Sequence, residues 1–363
     1  MIDETMAVIS IYHVTSTGGI SLMVANLPYS NLQWTRRLST CGSFSVQLVG
    51  DVPVPWPGRY LLVRSDRPEV GLVEKVEYSD DESGEAASMS GRFAECLLAY
   101  RSFGPSGASV SGSGWRGAVA AAFGSWPMPD APEIALGDGT EGTGSSYTIR
   151  ADEKTTAMDA VYAVTAAQSS YPTLDLDWER GVLDLSIADG LDRTRGQSER
   201  PVMVFSLEMA TAQAASYSGD YSVSCSKVIA YAKGSSEDAP AVTAEAAVPG
   251  FDPETMWQAS ATEDVSSLCS DEPSAAEAKD AGLLRAYDHM PALAVDVTVL
   301  GSGYGSTWDL ADTCEADVPE AGVSCSARIE EVREVVKKEG TTLEVSLGSK
   351  AISRVSRALM RLR

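Results

Sequence analysis

A chain of 363 residues is longer than one hydrophobic core usually grows, so two or three domains are expected. Hydrophobic residues make up 44% of it, which fits a folded protein and excludes an intrinsically disordered one. A formal net charge of −23 argues against binding nucleic acid through clustered Lys and Arg, and the longest apolar runs, such as Ala118 to Phe123, are too short to cross a bilayer.

In chain order, the acidic start "MIDETMAVIS" lacks the basic opening of a signal peptide, so no secretory targeting is expected. Residues 8–100 read as antiparallel β-structure. "AVISIYHV" and "ISLMVANL" are short apolar strands around the turn-rich "TSTGG". In "NLQWTRRLSTCGSFSVQLVG", two extended pieces meet around Cys41 and Gly42, with Trp34 beside Arg36 and Arg37. "DVPVPWPG" cannot be a central strand, because each Pro removes a ladder donor. In "GLVEKVEYS", Leu72, Val76 and Tyr78 are expected on one face, with Val73, Lys75 and Glu77 on the other. A short helix is expected around Ala94 to Tyr100.

The middle changes character. "GPSGASVSGSG", residues 104–114, reads as a flexible Gly/Ser junction. "WRGAVAAAF" reads as a short helix. "DEKTTAMDAVYAVTAAQ" reads as a better one, with Met158, Val161, Tyr162 and Thr165 on one face. "TLDLDWERGVLDLSI" reads as a hairpin, with Leu174, Leu176 and Trp178 alternating before the turn and Leu183, Leu185 and Ile187 after it.

Strands return over 200–345. The register of "YSVSCSKVIAYAKG" is open. "EPSAAEAKDAGLLRAYDHM" reads as an inserted helix with Leu283, Leu284 and Tyr287 as its apolar side. "PALAVDVTVLGSG" reads as a strand. "RIEEVREVVKKEGTTLEVSLG" fits both a helical stripe (Ile329, Val332, Val335, Val336) and a hairpin turning at "KKEG". The end, "KAISRVSRALMRLR", spaces Ile352, Val355, Leu359 and Leu362 as on one helix face. It carries Lys350, Arg354, Arg357, Arg361 and Arg363 and no acid, on an otherwise acidic chain. Such a basic amphipathic segment suits docking on an acidic neighbour.

Candidates for chemistry are few. Six cysteines stand singly at 41, 96, 225, 269, 314 and 325, with no C-x-x-C pair, so reduced buried thiols are expected. The two histidines, His13 and His289, fit no metal motif, and no G-x-S-x-G elbow occurs. "GDGTEG", Gly137 to Gly142, matches a phosphate-loop spacing but is followed by "TGSSYTIR", which is no helix start, so it reads as a loop. "DLDWE" offers Asp175, Asp177 and Glu179 at strand spacing, the raw material for glycoside hydrolysis, or simply a solvated hairpin face. Trp115, Trp126 and Trp178 would be platforms in a carbohydrate- or receptor-binding module. No catalytic residue, cofactor or metal ligand is assigned.

Taken together, "WTRRLSTCGSFSVQL", the proline-rich crossing, "GRYLLVRSD", the "VEKV" strand and "SGRFAECLLAYR" resemble the N-terminal barrel of siphophage tail-tip hub proteins, which are related to the myophage baseplate hub. The segment from Tyr304 to Ser349 is similar to that family's closing segment, with Leu310-Ala311-Asp312 where the family has Leu-Gly-Asp. The resemblance covers roughly 8–104 and 220–348 and favours the hairpin over the helix at 328–347.

It implies a mainly β fold with inserted α+β: two tube-like β-barrel domains plus a middle insertion with helices and a hairpin. The expected boundaries are 1–104 for the first barrel, 105–220 for the middle α+β domain, 221–348 for the second barrel with its inserted helix, and 349–363 for the basic helix. The implied protein is a non-enzymatic structural component of a phage or prophage tail tip. As a baseplate hub it would form a homotrimeric ring that continues and closes the tail tube, with DNA passing through the lumen. Implied partners are the distal tail protein, the tail tube or tape-measure protein, and receptor-binding or fibre proteins, with no membrane and no specific nucleic acid. The expected location is the virion tail, and the host cytoplasm before assembly. A chain ending at Arg363 leaves no room for a peptidoglycan-cutting extension. In this reading Trp34 and Phe44 pack inward, Gly42 permits a tight link, and Arg36, Arg37, Arg354, Arg357 and Arg361 are candidates for subunit contacts.

Overall fold

The alternation over the first hundred residues becomes seven antiparallel strands in the computed structural model. It describes residues 7–348 apart from 52–53, 82–83, 153–154, 223, 235–239, 250, 255, 271, 300–302 and 320–321. The strands are β1 (Ile9–Val14), β2 (Ile20–Val24), β3 (Tyr29–Arg37), β4 (Ser43–Leu48), β5 (Tyr60–Arg64), β6 (Val70–Asp81) and β7 (Gly84–Phe93). Their alternate apolar residues (Ile9 and Ile11, Leu32 and Trp34, Phe44 and Val46) line one buried face, because successive side chains on a strand point to opposite sides. The Trp34 ring lies 4.6 Å from Phe93 and 5.9 Å from Phe44, so both aromatics pack inward as expected. Gly42 sits so close to Phe93 that a Cβ there would lie 2.4 Å from its ring, which is why the β3–β4 link takes no larger residue. In β6 a bulge between Val73 and Lys75 resets the alternation, burying Val73 and leaving Tyr78 exposed, against the simple period-2 reading.

A short 3-10 helix, Ala94–Tyr100, leads into the middle segment. There β8 (Ala108–Ser113) pairs with β10 (Ser146–Ala151). The supposed Gly/Ser junction is thus largely a strand. Its lack of bulk is what places it: Gly112 lies against the backbone of Gly117, where a Cβ would be 2.2 Å from the carbonyl carbon. Ser111 shares a 2.7 Å hydrogen bond with Thr148 across the pair. Helix α1 (Gly114–Ser125) follows β8, and β9 (Ile134–Leu136) is a short strand in the long Pro/Gly segment. Helix α2 (Ala157–Ala167) is capped by Thr156, whose Oγ1 accepts from the Asp159 amide at 3.1 Å, and it buries Met158, Val161, Tyr162 and Thr165 as the periodicity required. β11 (Ser170–Asp177) and β12 (Val182–Asp189) form the expected hairpin, with Leu174, Leu183, Leu185 and Ile187 in the core. Trp178 departs from that pattern. It lies in the turn and is 72% exposed.

The remaining strands are β13 (Val204–Ser206), β14 (Ala214–Asp220), β15 (Lys227–Lys233), β16 (Ala241–Ala247), β17 (Ser260–Asp264), β18 (Ala292–Val299), β19 (Thr313–Val318), β20 (Val323–Lys337) and β21 (Gly340–Gly348), with helix α3 (Ala275–Ala286) after β17. β20 and β21 are a hairpin, in register from Ile329↔Leu347 to Lys337↔Gly340, so the helical alternative is excluded. β20 also pairs with β3 from Lys337↔Asn31 to Glu331↔Arg37. The largest sheet therefore runs β14-β18-β21-β20-β3-β4-β7-β6-β5-β1-β2, with β19 and β13 branching from β20.

This pairing redraws the expected domain boundaries. One compact unit contains the chain up to Ser216 together with Val295–Leu347, and a second contains Tyr217–Ala294. The strands from 313 to 347 belong with the N-terminal sheet rather than with a separate second body. Within the second unit, β15 lies between β16 and β17, with α3 packed on β15 and β16. Here the helix reading needs correction. Ala278, Ala281 and Gly282 face the sheet, whereas Leu283 is 38% exposed. A Cβ on Gly282 would lie 2.7 Å from that of Ala230, so helix and sheet approach too closely for leucine between them. The basic segment with Arg354, Arg357 and Arg361 lies outside the described residues.

Candidate functional site

The densest polar arrangement among the described residues is a buried ionic junction in the first unit. On β3, Leu32, Trp34 and Arg36 share the core face, so Arg36 follows Trp34 inward. Its guanidinium meets Glu69 Oε1 at 2.5 Å and Asp309 Oδ1 at 2.5 Å, and donates to the hydroxyls of Tyr304 at 2.8 Å and Tyr171 at 3.1 Å. Trp34 Nε1 donates to the other oxygen of Glu69 at 3.4 Å. Burial pushes the Tyr171 phenol up to about 12, which keeps it a neutral partner.

A second cluster lies close by. Arg64 and Arg67 both reach Glu334 of β20, at 2.9 Å and 2.7 Å, and Arg67 lies 4.4 Å from the ring centre of Tyr304. Glu334 is 1% exposed and shares the inward face of β20 with Val332 and Val336. Arg64 also forms a two-point pair with Asp66, at 2.7 and 2.9 Å. Such pairs hold together because each buried charge has its opposite and further hydrogen bonds.

The segment Tyr304–Asp312 fastens this junction to the rest of the unit. Trp308 stacks on Tyr304 at 5.0 Å and meets Phe205 edge-on at 5.3 Å. Asp312 is 2% exposed and accepts from the amides of Leu191 at 2.7 Å and Asp309 at 3.0 Å, and from Arg193 Nε at 3.1 Å. Between Leu310 and Asp312, Ala311 has φ +70°, in the left-handed region where glycine fits best. The Leu-Ala-Asp turn thus keeps a glycine-type backbone without the glycine.

One buried carboxyl stands apart from these pairs. Glu95 is 1% exposed; its Oε1 accepts from the Leu174 amide at 3.0 Å and its Oε2 lies 3.9 Å from Cys41 Sγ. Loss of solvation pushes its pKa up to about 8, so it is mostly protonated at neutral pH. It joins the 3-10 helix to β11 without a cationic partner of its own.

The structure separates the residues that sequence reasoning grouped. Arg36 was assigned a subunit contact, yet its acidic partners are Glu69 and Asp309 of its own chain, and it is 6% exposed. Arg37 points the other way and pairs with Glu331 at 2.7 Å, its cross-strand neighbour. Asp177 is not free for catalysis. It accepts from the amides of Glu179 at 3.0 Å and Arg180 at 2.9 Å and from Arg180 Nε at 2.6 Å, and these bonds hold its pKa down. Arg180 also binds Asp184 across the hairpin. Asp175 accepts from the Leu176 amide at 2.7 Å, burial and the nearby Asp184 and Asp177 raise its pKa, and Glu179 lies in the turn rather than on the strand.

Trp126 is core, Trp115 is half-buried under Arg116 at 4.6 Å, and Trp178 alone of the three is an exposed platform. His13 packs beside Tyr60 at 5.7 Å, and His289 pairs with Glu263 at 2.9 Å in the second unit. "GDGTEG" is a loop with Gly139 at φ +73°, and Arg116 donates to the Gly139 carbonyl at 2.8 Å. Among the described residues, no group of three metal-binding side chains occurs.

Glu69, Glu334, Tyr304 and Asp309 were missed by sequence reasoning, and Asp312 was read only as part of the Leu-Ala-Asp turn. For Glu334 a signal exists: it takes the inward slot between Val332 and Val336, where an unpaired acid would be costly.

No protein-family model matches the chain, and no curated protein does. Solved structures do. The 43 kDa tail protein of prophage MuSo2 from Shewanella oneidensis aligns at a TM-score of 0.58 and 16% identity, covering 93% of this chain and 98% of that one. A tail protein from Neisseria meningitidis MC58 aligns at 0.56 and 15%, covering 95% and 97%. Prophage tail protein gp18 from Listeria monocytogenes EGD-e aligns at 0.54 and 10%, covering 97% and 98%. The chain has the fold of these tail proteins over more than nine-tenths of its length.

Proposed function

We propose that this chain is a structural component of a phage or prophage tail tip, a baseplate hub that assembles as a trimeric ring around the tail axis. The observation that carries this reading is the two-way coverage: three tail proteins, two of them from prophages, match nearly their whole length to nearly the whole of this chain. The organisation of the buried charges agrees with a structural role. The ionic junction ties strands from both ends of the sequence to the middle segment and leaves its carboxylates paired, an arrangement that stiffens the core.

Asp177, the central acid of "DLDWE", is spent on the hairpin turn, which favours a non-enzymatic part over a glycan hydrolase. A net charge of −23 suits a wall that repels DNA on its way out. The basic segment with Arg354, Arg357 and Arg361 provides a cationic contact for an acidic neighbour in the tail, such as the distal tail or tube protein. The solution mass by light scattering tests the reading. The expected value is three times the 38.3 kDa of one chain, and a monomer at every concentration counts against the ring.

A further inference from the structure

The sheet of the first unit ends at β2, which pairs with β1 on one side and closes the strand order on the other. Edge strands are usually blunted by a lysine, a proline or an inward charge, because their open backbone groups invite another strand. β2 carries none of these three: its five residues are Ile20, Ser21, Leu22, Met23 and Val24, and the one irregularity is a bulge at Met23. The uncharged stretch is longer than the strand. From Val14 to Thr35, 22 consecutive residues include no Asp, Glu, Lys or Arg, in a chain where such residues make up 22%.

Leu22 is 55% exposed and Met23 is 46% exposed. Met23 is the extra residue of a bulge, between Leu22 opposite Tyr12 and Val24 opposite Ile11, so period-2 alternation is interrupted there and both side chains stand exposed at the edge. A strand added at the edge covers them and pairs the open backbone groups as well.

We propose that β2 is the edge at which a second copy of this chain adds a strand to the sheet. This rests on the ring reading above, since a multi-copy particle supplies the second edge. Charge points to a copy of this chain as the occupant. Two chains of −23 repel over most of their surface, and an uncharged edge is where they approach at least cost. The complementary edge is the other end of the same sheet, β14, whose sequence AASYSGD is neutral up to Asp220. Pairing unlike edges is a head-to-tail contact, the kind that closes into a ring when the rotation allows it.

The test compares full-length wild type with Leu22→Lys, Met23→Lys and, as a control at another exposed apolar side chain, Trp257→Ala (94% exposed). Light scattering over a concentration series gives the mass, thermal unfolding checks the fold, and amide exchange reads β2 directly. The expected result is a wild-type trimer with slow exchange at Leu22 and Val24. Both Lys variants should unfold at the wild-type temperature yet associate roughly tenfold or more weakly, about 1.4 kcal/mol. Trp257→Ala should assemble as wild type does. A trimer whose mass and β2 exchange are unaffected by either Lys variant overturns the edge assignment and leaves the ring standing. A wild-type chain that stays monomeric overturns the ring reading, and the docking with it.

Discussion

Arg36 carries more of the architecture than any other single residue described. Its guanidinium satisfies two carboxylates and two phenols from three separate stretches of the chain. Removing it strands Glu69 in a site that is 2% exposed. Arg36→Ala should therefore lower unfolding free energy by ~3–5 kcal/mol in a denaturant titration. Arg36→Lys should not restore the loss, since an ammonium cannot reproduce the planar fork. A change below about 0.5 kcal/mol, the level of an ordinary surface substitution, would show that the junction is not structural.

Glu95 makes a prediction of the opposite sign to a paired acid. Its folded pKa of about 8 lies above the ordinary value of 4.5, so between those values the folded chain binds the extra proton. The stability this group contributes is fully present below about pH 4.5 and falls away as pH rises toward and past 8. Glu95→Gln keeps an oxygen for the Leu174 amide and removes the titration. The variant should lose less stability than wild type between about pH 5 and pH 9 in parallel urea titrations. Parallel pH profiles for the two proteins would refute the assignment.

Among the elements, the turn at Leu310-Ala311-Asp312 joins the ionic junction to β19. Alanine at φ +70° is strained there, in a region of backbone space that glycine enters freely. Ala311→Gly should raise stability by up to about 1 kcal/mol, read as a higher denaturant midpoint with an unchanged slope. A lower midpoint would mean that the methyl group packs better than the backbone strain costs.

What the sequence makes legible at this scale follows from period. The α2 face and the β11–β12 hairpin could be read because local periodicity decides them, whereas the inward Trp34 and Phe44 came from the resemblance to hub barrels. Arg36 was readable too: two positions after an inward Trp34 on a strand, it must also point inward. The identities of its partners were not, because Glu69 and Asp309 lie 33 and 273 positions away in sequence. The α3 face was misread because its contact is made by small residues. There, distance between backbones rather than hydrophobicity chooses the side chain, and only the sheet against which Gly282 packs reveals it. Composition likewise misled at 104–114, where glycine and serine serve close packing instead of flexibility.

For the whole molecule, mainly β architecture was visible from the strand-length alternations, while the division into units was not. Pairing of β20 with β3 joins residues some three hundred positions apart, and no local pattern encodes which strands from two ends will meet. Once made, that pairing places the closing segment and the N-terminal sheet in one body and gives the charges on β3, β20 and the 304–312 segment a common interior. The central claim is that this body is a repeated part of a tail tip. It is tested most directly by a single-particle reconstruction of tails purified from a strain that carries the gene. The expected map shows three copies around the axis at the tip of the tail tube. Tails that lack the chain, or hold it away from the axis, would contradict the account.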